Sequence, residues 1–438
     1  MEIWALVMLA AAIALLLIGY PVAFTLGAVA LLFGGIALGL EFFALLPLRI
    51  WGVMTSFTLI AVPLFVFMGI VLEKSGIAEE LLETMARLFG RLRGGMGVSI
   101  VLVGALLAAT TGVVGATVVT MAVIALPVML RHGYKPELAT GTIAASGTLG
   151  QIIPPSIILV LLGDVIGVPI GRLFMAAITP GLILIALFII YVLVRAKFRP
   201  HEAPALPVDD NAGPLWPQVF KSLIPPLFLV FAVLGSIFFG VASPTESAAV
   251  GALGALFLAA IRKRLNLGNL REAMRSTTRM TSMVFMILIG ATAFGLVFRG
   301  MGGDDLVKEL MTGLPGGPWG FLLVSMLVIF ILGFFLDFIE ITFIVVPILA
   351  PIAAFMGIDM LWFAVLIALN LQTSFLTPPF GFSLFYLKAA APPEIRMPQI
   401  YRGILPFVGI QLLALLMVML FPQITLWLPD IMDSVQGF

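Results

Sequence analysis

Four short polar clusters interrupt an otherwise apolar chain, and their groups are suited to binding ions rather than breaking bonds. The first is Ala109-Thr110-Thr111-Gly112. The second is Ser146-Gly147-Thr148-Leu149-Gly150-Gln151-Ile152-Ile153-Pro154-Pro155. The third lies within residues 333–337, from Gly333 to Asp337. The fourth is Asn370-Leu371-Gln372-Thr373-Ser374-Phe375-Leu376-Thr377-Pro378-Pro379. A proline frees carbonyls in the turn before it. Those carbonyls, with Ser, Thr and Asn oxygens, can replace the water shell of a small cation. Half-helix N-termini and hydroxyls can hold a carboxylate beside it. The chemistry suggested is uptake of an organic anion coupled to Na+. A single membrane proline usually marks only a kink. Two Pro-Pro pairs, each beside a polar cluster at one repeat spacing, point to a site.

Other chemistry has less to stand on. Asp337 and Glu340 sit at the third cluster, where an intramembrane acid can assist a cation or relay a proton. Glu246, in Ser243-Pro244-Thr245-Glu246, suits a helix start. Asp164 and Arg172 read as surface residues, and His132 as an interfacial one. There are no cysteines, and the two histidines are not spaced as ligands. Neither a Walker phosphate loop nor an HExxH motif occurs. An intramembrane enzyme, a distant alternative, would need such a catalytic set. A net charge of +1 gives no reason to expect nucleic acid as a partner.

The elements that position these clusters must be membrane helices. The chain is 62% hydrophobic and 10% charged, against about 25% charged for soluble domains. A crossing takes about 20 apolar residues, so the 438 residues allow roughly a dozen. The alternation of a lipid-facing barrel strand is missing. The N-terminus reads as a retained first helix. An offset of 224 residues carries Pro127, Gly133, Pro154, Pro155 and Pro169 onto Pro351, Gly357, Pro378, Pro379 and Pro393. Pro and Gly have backbone roles that are hard to replace, so the chain reads as a duplication.

Basic residues change place between the halves. Arg131 and Lys135 correspond to Phe355 and Asp359, whereas Arg262-Lys263-Arg264 corresponds to Leu38-Gly39-Leu40. Inverted repeats under the positive-inside rule require such a switch. The expected fold is all-α and polytopic, with two inverted repeats. Repeat one covers 1–197, with a re-entrant hairpin at about 95–131 and a broken helix at about 136–168. A Pro-rich cytoplasmic linker covers 198–215. Repeat two covers 216–425, with a hairpin at about 318–356 and a broken helix at about 360–390. A tail covers 426–438. With both termini outside, every Lys and Arg faces the cytoplasm except Arg49, Arg172, Arg299 and Lys308. Segments near 77–92 and 267–279 read as interfacial amphipathic helices.

Gly19-Tyr20-Pro21-Val22-Ala23-Phe24-Thr25-Leu26-Gly27, Pro244-Thr245-Glu246-Ser247-Ala248-Ala249-Val250 and the two Pro-Pro loops together resemble the large membrane subunit of tripartite ATP-independent periplasmic (TRAP) transporters. The similarity runs essentially end to end. It implies an inner-membrane symporter of bacteria or archaea that works by an elevator motion. It also implies two partners: a small four-helix membrane subunit and a periplasmic binding protein delivering an organic acid. Carried over by motif, the Na+ candidates are Thr110, Thr111, Gly112, Ser146, Gly147, Gly150, Gly333, Asp337, Asn370, Thr373 and Thr377. The substrate candidates are Thr148, Gln151, Pro154, Pro155, Gln372, Ser374, Pro378 and Pro379. Many relatives have a Gly-rich stretch where this chain has Gln372-Thr373-Ser374-Phe375, which leaves the ligands there open. A stand-alone Na+- or H+-coupled anion transporter of similar architecture is the alternative.

Overall fold

The computed structural model describes residues 2–112, 114–206, 215–378 and 381–436, and all its regular elements are helices. In the first half these are α1 (Glu2–Ile18), α2 (Val22–Ala37), α3 (Leu46–Met54), α4 (Ala61–Lys74) and α5 (Ile77–Phe89). They continue as α6 (Gly95–Thr111), α7 (Val114–Arg131), α8 (Pro136–Thr148), α9 (Ile157–Ile166) and α10 (Ile170–Phe198). The second half starts with α11 (Leu215–Phe238), α12 (Pro244–Ile261), α13 (Leu267–Gly300), α14 (Gly303–Thr312) and α15 (Pro318–Leu332). It ends with α16 (Phe338–Ile344), α17 (Val346–Phe355), α18 (Met360–Leu376), α19 (Phe382–Ala390), α20 (Met397–Leu420) and α21 (Gln423–Gln436). Six described helices are long and apolar enough to cross a membrane, or up to eight when each bent pair is taken as one span.

The duplication is visible in the element boundaries. A shift of 224 carries Val114 and Pro136, which start α7 and α8, onto Phe338 and Met360, which start α16 and α18. Local signals fix several of these starts. Ser243 Oγ accepts from the Glu246 amide at 3.3 Å, and Glu246 Oε2 accepts from the Ser243 amide at 2.7 Å. This capping box opens α12, so Glu246 acts at a helix start. Asp359 caps α18 through the Trp362 amide at 2.8 Å.

The helices pack as two layers. One contains α1, α2, α4, α11, α12 and α13; the other contains α6–α10 and α15–α20. Amphipathic α5 touches both, packing on α6 and α11. Small residues set the closest approaches, as in other membrane bundles. A methyl on Gly403 of α20 would lie 2.0 Å from the Glu137 carbonyl oxygen of α8. One on Gly141 would lie 2.2 Å from the Gly403 oxygen. In the other layer, a methyl on Gly290 of α13 would meet the Ala23 oxygen of α2 at 2.4 Å.

One segment differs from the sequence reading, and two take structure that it did not specify. Residues 267–279 are not a separate interfacial helix but the start of the continuous 34-residue α13; no proline or strong break follows to end it. The C-terminal tail is helical through Gln436, and Asp433 pairs with Arg172 at 2.8 Å. Residues 200–206 of the linker are docked across the base of the α6–α7 hairpin. The Leu206 amide donates to Gly90 O at 2.8 Å, Gly94 N to Ala203 O at 3.0 Å, and Lys135 N to Glu202 O at 3.0 Å.

Glu202, 3% exposed, explains that docking. Arg195 Nε lies 2.6 Å from one of its oxygens, and Lys135 Nζ and Arg199 Nη1 lie 3.2 Å from the other. Burial alone raises a carboxyl pKa. The hydrogen bonds from Arg195, Lys135 and Arg199 outweigh it and hold Glu202 down at about 2.

Candidate functional site

The polar clusters gather in the layer built from both hairpins and both interrupted helices. The first tip follows α6. Gly112 is left-handed (φ +60°), and its amide donates to Ala108 O at 3.0 Å. A side chain there would strain the turn and crowd Ile157, at the start of α9. Thr110 is buried; the Thr111 side chain lies outside the described residues. Although α7 has the length of a crossing helix, it returns beside α6 and packs along α8.

The first break joins α8 to α9. A 3-10 turn, Leu149–Gln151, follows α8, and helix resumes at Ile157 after buried Pro154 and Pro155. Glycines let α6 and α7 close on it. A methyl on Gly104 would meet Ser146 Cβ at 2.6 Å, one on Gly147 would meet Val118 Cγ2 at 2.3 Å, and one on Gly150 the Ala108 oxygen at 3.3 Å.

The second tip lies between α15 and α16. Asp337 caps α16: its Oδ1 accepts from the Phe338 amide at 2.7 Å, and its own amide donates to Glu340 Oε2 at 3.2 Å. The second break is shorter than the sequence suggested. Asn370, Gln372, Thr373 and Ser374 are inside α18, which stays helical to Leu376. No proline precedes Pro378, so nothing ends the helix earlier. Pro379 lies outside the described residues.

The two breaks solve one packing problem in opposite ways. In repeat one the glycine is on the broken helix, Gly150, against Ala108 of the hairpin. In repeat two it is on the hairpin side, Gly333, against Ser374 of α18; a methyl on Gly333 would be 2.1 Å from Ser374 Oγ. Gly150 and Ser374 are repeat mates. The Ser374 side chain is therefore accommodated by the glycine opposite.

The hydroxyls share a polarity. Thr110 donates to Leu107 O, Ser146 to Thr142 O, Thr148 to Ala145 O, Thr373 to Leu369 O, Ser374 to Leu371 O and Thr377 to Thr373 O, all at 2.6–2.9 Å. Each hydrogen is used on the helix itself, and each oxygen keeps lone pairs for a further partner. Oxygens so arranged suit a cation better than a carboxylate. Asn370 Nδ2 donates to Met326 O of α15 at 2.6 Å, while its Oδ1 is buried without a partner. Both side-chain atoms of Gln151 are buried and unpaired. The residues present thus fit a small hard cation.

Some polar groups escaped the sequence reading. Gln411, on α20, is 1% exposed and reaches Thr148 Oγ1 at 3.4 Å. Its signal was an amide in the middle of an apolar membrane helix, a functional flag in such helices. Glu73 of α4 accepts from Thr120 of α7 at 3.0 Å, beside the Lys74–Glu272 ion pair at 2.8 Å. A cleft of about 740 Å³ opens between the layers, with α3 and α13 on one side and α9, α16 and α17 on the other. Arg49, Arg299 and Asp164 stand on its polar wall, where Ser56 donates to Asp164 at 3.3 Å.

Comparison with known proteins supplies a family. Residues 9–424 match the model of the tripartite ATP-independent periplasmic transporter DctM component. The C4-dicarboxylate TRAP transporter large permease protein DctM of Pseudomonas aeruginosa is 31% identical over 388 residues, 88% of this chain and 89% of its own. The sialic acid TRAP transporter large permease protein SiaM of Vibrio cholerae is 31% identical over 95% of this chain and 96% of its own. The ectoine TRAP transporter large permease protein TeaC of Halomonas elongata is 29% identical over 97% and 99%. The crystal structure of the Alcanivorax borkumensis YdaH transporter aligns with a TM-score of 0.63 at 14% identity, covering 94% of this chain and 96% of that one. That likeness concerns the fold.

Proposed function

The chain belongs to the DctM family, the large-permease component of tripartite ATP-independent periplasmic transporters, and on that premise we propose that it imports an organic acid in symport with Na+ across a bacterial or archaeal inner membrane. The observation that carries this reading is the common polarity of the Ser146, Thr373 and Thr377 hydroxyls, whose hydrogens are spent on their own helices and whose oxygens keep lone pairs for a further partner. It works with a small four-helix membrane subunit and a soluble periplasmic binding protein. The relatives' substrates are C4-dicarboxylates, sialic acid and ectoine; a carboxylate-bearing solute is the class assigned to this chain.

Bound Na+ supplies positive charge beside the substrate carboxylate and carries the free energy of its gradient. The chain's own groups do the rest. Thr110, Gly112, Ser146, Gly147 and Gly150 offer oxygens at the first tip and break. Gly333, Asp337, Asn370, Thr373 and Thr377 do so at the second. The amides of Gln151 and Gln372 can donate to a carboxylate, a role the engaged hydroxyls of Thr148 and Ser374 fill less well. The repeats lie inverted in the membrane, so the tips approach from opposite sides. The hairpin layer moves as an elevator against the α2–α4–α12–α13 layer. With both termini outside, the Arg49–Arg299 cleft opens outward. Uptake into liposomes, with and without the two partners, under an inward Na+ gradient tests the assignment. Uptake by this chain alone, or uptake that requires ATP, would overturn it.

A further inference from the structure

The seam between the two layers carries two clefts, and the repeat relates them. The outer one is the Arg49–Arg299 cleft of about 740 Å³. The inner one, of about 250 Å³, lies between α4 and α13 on one side and Ala116 of α7 on the other. A shift of 224 carries Gly52 and Ser56 of the outer wall onto Ser276 and Met280 of the inner wall, and Lys74 of the inner wall onto Phe298 of the outer. Equivalent walls thus enclose far more space at the outer end.

A hydrogen bond closes the inner end. The Thr120 hydroxyl of α7, one turn beyond Ala116, donates to Glu73 Oε1 of α4 at 3.0 Å. The acceptor is a carboxylate, and hydrogen bonds to charged groups are the stronger class. The neighbouring cation, Lys74, is engaged by Glu272 at 2.8 Å, so it does not compete with Thr120 for Glu73. At the outer end, the bond from Ser56 to Asp164 is 3.3 Å, beyond the usual O–H···O range of about 2.5–3.0 Å. The repeat mates of Glu73 and Thr120 are Val297 and Ile344, whose side chains cannot make such a bond. The inner bond therefore has no counterpart at the outer positions that the repeat makes equivalent.

We propose that Glu73 is the inner gate: its bond to Thr120 holds the α6–α7 hairpin against the α2–α4–α12–α13 layer, keeps the inner cleft shut and so favours the outward-open position of the hairpin layer. This rests on the proposed elevator motion and gives it a named residue. Glu73 belongs to neither a tip nor a break; it is a positioning residue that acts through the hairpin it holds. Transport visits both positions in every cycle, so their populations lie close, between about 1:1 and 10:1 in favour of the outward one. Losing one hydrogen bond to a charged group changes such a ratio by about tenfold. Each reporter of position then changes by about two- to fivefold.

The chain has no cysteine, so a single one introduced by mutation reports its own surroundings. Ser276→Cys reports the inner cleft and its repeat mate, Gly52→Cys, the outer one; a Cβ at Gly52 meets nothing within 4 Å. The full-length chain is placed with its small membrane subunit in lipid nanodiscs. Labelling by a neutral, water-soluble methanethiosulfonate reagent is followed by the mass of this chain. Thr120→Val keeps the side-chain shape and removes the donor. It should raise the Ser276→Cys rate and lower the Gly52→Cys rate, each by about two- to fivefold. Glu73→Leu should do the same and serves as the second variant should the first fail to fold. Glu73→Gln, which retains an accepting oxygen, should move both rates less. A rise at Ser276→Cys alone identifies local loosening and overturns the gate, as do unchanged rates at both positions. Wild-type rates that Na+ and loaded binding protein shift at neither position overturn the elevator motion itself, a separate failure.

Discussion

Alanine at Gly403 tests the packing that holds the hairpin layer together. The added methyl would stand 2.0 Å from the Glu137 carbonyl oxygen, whereas C···O contacts are ordinarily about 3.3 Å or more. The obstacle is backbone, so no rotamer change relieves it, and α8 and α20 must separate by about 1 Å. Overpacking of this kind costs about 1–3 kcal/mol. The same helix pair carries the 3.4 Å contact between Gln411 and Thr148, which such a separation would break. Gly409→Ala is the control: it lies on the same helix, and its methyl meets nothing within 4 Å. It should be neutral or stabilising by up to about 1 kcal/mol, the helix preference of Ala over Gly. Thermal melting in detergent and Na+-driven uptake in liposomes are the assays. Gly403→Ala should melt several degrees below Gly409→Ala and transport poorly. Equal melting temperatures and equal uptake would refute the claim that this glycine contact sets the α8–α20 distance.

Three further outcomes are expected. Ser146→Ala and Asn370→Ala should weaken the Na+ dependence of uptake more than they lower expression; unchanged Na+ activation in both would count against the tip-and-break assignment. Gly333→Ala should abolish uptake through its clash with Ser374 Oγ at 2.1 Å, and adding Ser374→Gly should restore much of it by moving the missing room to the other partner, as at Gly150. Rescue failure would mean that the glycine serves something other than space. Glu202→Gln should cost about 1.5–3 kcal/mol, the range of hydrogen bonds to charged groups. The Glu202 carboxyl is held at about 2, below its unfolded value near 4.5. Its stabilisation is therefore full above about pH 4.5 and fades as pH falls toward 2. The melting gap between wild type and variant, followed from pH 8 to 4, should stay level and then begin to close; a gap growing toward low pH would contradict it.

The sequence made the helical membrane class and the duplication legible, because composition and proline spacing are local properties. Pro154 and Pro155 marked the first break closely, since a proline ends hydrogen bonding in the turn before it. The second break was read too early because polar Asn370, Gln372 and Thr373 resemble a loop in composition; buried, with the Thr373 hydroxyl bonded back to its own helix and the Asn370 amide to Met326 O of α15, they remain helical. Gln411 was passed over because its meaning depends on Thr148, far away in sequence. The glycine exchange between Gly150 and Gly333 was equally unreadable, since it is a property of opposed surfaces. Composition marked 198–215 as a Pro-rich linker, but the docking of its first part by a single buried glutamate among three cations depends on Lys135, far away in sequence.

Symport of an organic acid with Na+ is tested most directly in liposomes carrying this chain and its small membrane subunit. The binding protein is supplied outside, preloaded with a labelled C4-dicarboxylate, sugar acid or 2-oxo acid that it retains. With no ATP present, an inward Na+ gradient should drive accumulation of the label, and replacing Na+ by K+ or omitting either partner should abolish it. Accumulation that persists with K+ alone, or in this chain without its partners, would contradict it.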